Sequence, residues 1–155
     1  MSDHRSKSGP LLVVNDSITV HFDEDWDVGI GGGLWSTGLA LAHYFVDHSS
    51  FITSTKLFKK DRMKIVELGS GNGFLSVVLA AVLLDKRCCL DAELYVTDLR
   101  DHLELIRRTI RENKHIVSSD EINRADRINV KVAEYSWGMN AIDAESDKFD
   151  FIFGR

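Results

Sequence analysis

Little in this 155-residue chain suits it for crosslinking, membrane insertion or binding to nucleic acid. Cysteine is scarce: Cys88 and Cys89 are the whole supply, and they are adjacent. Neighbouring cysteines rarely bridge each other, and the pair lacks the spacing of a metal site, so no metal is expected. Such usage suits a reducing compartment, cytoplasm or nucleus. Long apolar runs are missing too. The longest, Phe74 to Leu84, is too short to cross a bilayer. Residues 1–10 are polar and of mixed charge, without the apolar stretch of a signal peptide, and read as a disordered tail. Positive charge is in deficit, 19 Lys and Arg against 24 Asp and Glu for a net charge of −5, which leaves no basic field for nucleic acid. What remains is ordinary globular composition, 44% hydrophobic and 28% charged, enough for one domain with a real core over residues 11–155.

The most informative stretch is Ile65-Val66-Glu67-Leu68-Gly69-Ser70-Gly71-Asn72-Gly73. A short apolar β-type run enters a turn with glycine at every second position, and an uncharged run of helix formers, Phe74 to Leu84, follows at once. Strand, glycine turn and buried helix make the first half of a βαβ unit. Glycine there allows positive φ and close approach of backbone to ligand, and the free N–H groups at the helix start face that ligand. The spacing narrows the ligand's chemistry. Gly69, Gly71 and Gly73 give G-x-G-x-G, and Phe74 fills the place of the third glycine in the dinucleotide fingerprint G-x-G-x-x-G. Glu67, two residues before the first glycine, suits a cationic amine. Asp98, ending the next β-type run (Ala92 to Asp98), suits a ribose diol. An acid at each strand tip fits a cofactor with an ammonium and a ribose but no phosphate, S-adenosylmethionine better than NAD.

Around this unit the chain alternates. Leu11–Val14 and Ile18–Phe22 flank Asn15-Asp16-Ser17, either as a hairpin or as a ragged extended arm. After the glycine turn 29–33, Leu34 to Val46 carries an apolar stripe at helical spacing, with Trp35 at its start facing either core or pocket. Residues 47–62 read as an exposed polar connection. Asp101 to Asn113 forms a helix with Leu99, Leu103, Ile106 and Ile110 on one face, acids before bases along the dipole. Its bases, Arg107, Arg108 and Arg111 with Lys114, read as a solvated face. A polar loop (118–127) precedes the strand Ile128–Val132, from which Trp137 departs, and Phe149 to Arg155 forms a last strand. Strands alternating with helices predict an α/β, Rossmann-like fold with a mostly parallel sheet, an N-terminal β-hairpin and helix, and ligands beyond the carboxyl ends of the strands.

In Gly32-Gly33-Leu34-Trp35, Val66 to Gly73, Val96-Thr97-Asp98, Ser136-Trp137-Gly138 and Phe149 to Gly154, the chain resembles the class I, seven-stranded S-adenosylmethionine-dependent methyltransferases. Within them it is similar to the methyltransferase-like-21 group (methyltransferase family 16) of protein-lysine methyltransferases, over residues 11–155. The resemblance implies that Gly69, Ser70 and Gly71 cradle the methionine and ribose, with Glu67 near the amine. It implies that Asp98 takes both ribose hydroxyls, Trp137 lies by the adenine and Trp35 lines the methionine side. It also implies a lysine in a protein as the methyl acceptor. No residue stands out as a catalytic base.

Two features depart from the family pattern. Arg155 stands where such proteins carry a small residue, and the sequence stops before their Asp-x-x-Tyr segment and last three strands. Only the first four core strands are then expected. The Phe149 strand becomes an open apolar edge, prone to aggregation unless a partner covers it. An inactive fragment or regulatory module, or a methyltransferase of a small molecule, are the competing readings.

Overall fold

In a computed structural model, residues 12–16, 18–86, 91–117, 127–139, 142 and 148–154 are described. The tail 1–10, Cys88, Cys89, the loop 118–126 and Arg155 lie outside them. A hairpin comes first, β1 (Leu12–Asn15) antiparallel to β2 (Ile18–Val20). The Asn15 side chain accepts the Ile18 N–H at 2.9 Å, which closes the turn and rules out the extended arm. The second strand stops at Val20. Phe22 beyond it tilts onto Phe74 with centroids 5.1 Å apart.

Helix α1 spans Ser36–Asp47 and buries Gly38, Ala42 and Phe45. It starts two residues later than the stripe suggested. Leu34 N–H is held by the Glu24 carboxylate at 2.8 Å, and Trp35 is extended at φ −83°, ψ 149°. Residues 47–62 are not an exposed connection. They fold as α2 (Ser49–Ser54) and a 3₁₀ turn (Lys56–Lys59), burying Ile52 and Phe58 among otherwise polar neighbours. Phe58 meets Phe151 edge-on at 5.4 Å.

The main sheet holds β3 (Arg62–Leu68), β4 (Asp91–Asp98), β5 (Arg127–Glu134) and β6 (Phe151–Gly154) in the order β5-β4-β3-β6, all parallel. Helix α3 (Phe74–Lys86) links β3 to β4 and is buried from Phe74 to Leu83, as a run without charge dictates. Between β4 and β5 lie a 3₁₀ turn (Arg100–His102), α4 (Leu103–Glu112) and the short α5 (Lys114–Val117). Leu103, Ile106 and Ile110 pack as their spacing predicts, but Leu99 precedes the helix and is half exposed. Arg107, Arg111 and Lys114 are exposed; Arg108 instead reaches the Asp23 and Asp25 carboxylates at 3.6 Å each.

Strand alternation sorts the sheet's faces. Ile65 pairs with Leu94 and Phe151, and all three join the buried residues of α1, α3 and α4 in one core. On the other face Val66, Tyr95 and Ile152 share a row, with Phe149 edge-on to Tyr95 at 5.4 Å. Among the described residues β6 pairs with β3 alone. The chain leaves β3 toward β4 on one side and returns to β6 on the other. That reversal opens a crevice at the carboxyl ends of the strands.

Candidate functional site

Three glycines shape the floor of this crevice. Gly69, Gly71 and Gly73 hold φ of +64°, +59° and +77°, left-handed values that side chains resist. Ser70 between them is buried, and both its N–H and its hydroxyl donate to the Thr97 carbonyl, at 3.0 and 3.1 Å. The Thr97 hydroxyl in turn donates to the Glu67 carbonyl at 2.6 Å. The turn is thus stitched to the end of β4 from both sides.

Asp98 stands at that end. Its Oδ2 accepts the Gly71 N–H at 2.6 Å and its Oδ1 the Leu99 N–H at 2.7 Å. An ionised carboxylate offers about four acceptor positions. Backbone N–H groups use two here, which leaves two, the number a vicinal diol requires. His102 Nδ1 lies 3.3 Å from Asp98 Oδ1, close enough for charge but at angles that leave both ring nitrogens without a hydrogen bond.

Trp137 reaches the same place from β5. Tyr135 N–H donates to the Asp98 carbonyl at 2.9 Å, which carries the chain off β5 across the tip of β4. The Trp137 ring then comes within 3.5 Å of where a Cβ on Gly69 would stand, while 73% of the residue stays exposed. A large aromatic left open beside a positive-φ glycine is a ready stacking surface. Gly69, Ser70, Gly71, Asp98 and Trp137 are therefore brought together.

Glu67 and Trp35 are placed differently. Glu67 has no exposed surface; its Oε2 accepts the Ser76 hydroxyl in the first turn of α3. A buried carboxylate against a helix N-terminus is stabilised by the dipole there. Trp35 is 45% exposed, its indole N–H donating to the Ile30 carbonyl at 2.9 Å. It caps the glycine loop 29–33.

Asn72 and His102 went unnoticed in the sequence. Asn72 is buried: its Oδ1 accepts the Phe74 N–H at 3.2 Å and its amide donates to the Asp23 carbonyl at 3.3 Å. A side-chain acceptor just before the uncharged run was the available signal, since Asn at a helix start caps it. His102 lies four residues after Asp98 in a 3₁₀–α segment, a spacing that brings side chains together. Around Gly73 the backbone is closed, for a Cβ there would meet Ile106 Cγ2 at 3.1 Å. With Asn72 and Glu67 both engaged at the start of α3, that helix end offers no berth for a phosphate.

A parallel α/β sheet with a G-x-G-x-G turn, an acid at the next strand tip and an open tryptophan on the third defines a class I S-adenosylmethionine-dependent methyltransferase fold. The family model described as lysine methyltransferase matches residues 14–154, and the chain belongs to that family. Proteins of this class use S-adenosylmethionine as methyl donor in general.

Proposed function

We propose that this chain binds S-adenosylmethionine at the carboxyl end of its sheet and transfers the methyl group to a lysine side chain of a protein. The observation that carries the reading is the convergence on one glycine turn of Asp98, which accepts the Gly71 N–H and keeps two acceptor positions beyond its backbone bonds, and the exposed Trp137 beside Gly69. In this reading Asp98 accepts the ribose hydroxyls and Trp137 stacks on the adenine. The backbone at Gly69, Ser70 and Gly71 holds the remainder, with Trp35 at the methionine side. Glu67, its carboxyl buried beneath the turn, stands on the side of the methionine amine. The cofactor, when bound, supplies a methyl group already activated on a sulfonium.

The protein's part is then to orient and to dry the site. A lysine ammonium, with a pKa of about 10.4 in water, must arrive neutral. An acidic chain with exposed aromatics suits a lysine-bearing protein better than RNA. Among the described residues β6 pairs with β3 alone, in keeping with a partner that covers residues 149–154. The adjacent cysteines favour the cytoplasm or nucleus.

The test has two stages. Isothermal titration of the full chain with S-adenosylhomocysteine should show one saturable site that Trp137→Ala weakens. Incubation with methyl-labelled S-adenosylmethionine and a protein extract should place the label on lysine. A folded chain that shows no saturable binding refutes the cofactor site; label recovered only in small molecules refutes the protein substrate.

A further inference from the structure

Beside Asp98 lies a histidine that the proposed chemistry leaves unused. The His102 ring is wedged between two elements. On one side its Nδ1 is 3.3 Å from Asp98 Oδ1 at the tip of β4. On the other its Nε2 lies 2.5 Å from where a Cβ on Gly31 would stand, so the glycine loop rests its bare backbone on the ring. The side chain is only 12% exposed and neither nitrogen is open to solvent, so no ligand reaches it without displacing something first. Burying both ring nitrogens without hydrogen bonds is costly, and a fold that retains such a group gains by it elsewhere. Asp98 is the one acid within ion-pairing distance of the ring among the described residues, and the loop presents the Gly31 backbone.

We propose that His102 is a positioning residue for the cofactor. It holds the Asp98 carboxylate through Nδ1 and ties that carboxylate to the glycine loop that leads into Trp35. The inference rests on the cofactor reading given above. The unclosed Nδ1 geometry is the informative detail. Asp98 already accepts two backbone N–H groups. A full third bond from His102 would leave one acceptor position where a diol needs two. A polar contact without a closed bond restrains the carboxylate and keeps both positions available. Gly31 is part of the device, because any side chain there pushes the ring toward Asp98.

The test separates this role from simple packing. The full chain, His102→Phe (which fills the space without a nitrogen) and His102→Asn (which keeps an N–H near the Nδ1 position) are titrated with S-adenosylhomocysteine and with its 2′,3′-dideoxy analogue. His102→Phe is expected to weaken S-adenosylhomocysteine by roughly three- to tenfold, the loss of a polar restraint on Asp98 rather than of a closed hydrogen bond, and to leave the dideoxy analogue unchanged. His102→Asn should recover most of the loss. Unchanged binding in His102→Phe, an equal loss for both ligands, or no recovery in His102→Asn would each overturn the proposal; thermal melts identify any variant that has simply unfolded. A folded wild-type chain that binds neither ligand overturns the cofactor reading itself, which is a different result from a wild type that binds and a variant that matches it.

Discussion

Removing the Asp98 carboxylate tests the site most directly, because that group does two things at once. In Asp98→Ala the Gly71 and Leu99 N–H groups lose acceptors at 2.6 and 2.7 Å. A hydrogen bond to a charged acceptor contributes about 1.5–3 kcal/mol, but both N–H groups lie at a turn that water reaches once the side chain is gone. The net loss of fold stability is therefore expected to be about 1–2 kcal/mol, a few degrees in melting temperature for a domain of this size. Binding should suffer more. Two ribose hydroxyls lose an ionised acceptor inside a crevice, and the expected loss of affinity for S-adenosylhomocysteine is about 10²–10³-fold. Asp98→Asn is not a mild alternative, since its amide nitrogen must face either the Gly71 or the Leu99 N–H, donor against donor. Isothermal titration reads the affinity and circular dichroism the melt. Should folded Asp98→Ala bind within about threefold of the wild type, the ribose assignment is wrong and the two free acceptor positions are incidental.

Three further changes probe the frame around the site. Gly73→Ala places a Cβ at φ +77° and 3.1 Å from Ile106 Cγ2, so urea unfolding should show a loss of about 1–3 kcal/mol. Asp150 joins the start of β6 to β3. Lys60 and then the Lys64 N–H (2.8 Å) hold its carboxyl below the usual carboxylate range, against a smaller opposing effect of burial. That stabilisation is present above the ordinary carboxylate value and is lost as pH falls through the lowered one. Asp150→Asn should therefore cost about 1 kcal/mol at neutral pH, the exposed Lys60 adding little, and melts of the two proteins should converge in acid. Glu112 is the opposite case: burial first and the neighbouring Asp23 second raise its carboxyl above the usual range. Its contribution is favourable below the ordinary value and lost as pH rises through the raised one. Glu112→Gln is thus expected to melt higher than wild type at neutral pH and equally in acid.

The α/β order, the parallel sheet and the glycine turn were legible because each rests on local chemistry. Alternation in Ile128–Val132, the uncharged run from Phe74 and glycine at three positive-φ positions all act within a few residues. The elements misread are those that tertiary contacts decide. Residues 47–62 are polar on average, and only the core beneath them shows that Ile52 and Phe58 are anchors. Leu99 fits a helical stripe by spacing, yet the chain is still extended at φ −66°, ψ 157° there, because its N–H bonds the Asp98 carboxylate before α4 begins. The site divides in the same way. Glycines and the strand-tip acid could be read directly, whereas His102 and Asn72 acquire meaning only from the loop 23–33 folding over them.

Glu67 shows why motif and geometry have to be weighed together. Its distance from the glycines suggests a direct partner for a cationic amine, and in the structure its carboxyl is buried and accepts the Ser76 hydroxyl in the first turn of α3. The burial is itself informative about the ligand. A helix N-terminus attracts one anion readily, and in dinucleotide-binding folds that anion is a phosphate of the cofactor. Here the protein places a carboxyl of its own against that turn, with Asn72 capping it. The glycine missing from the dinucleotide pattern, replaced by the fully buried Phe74, and the acid sealed inside the turn both fill the helix start that a dinucleotide phosphate would use.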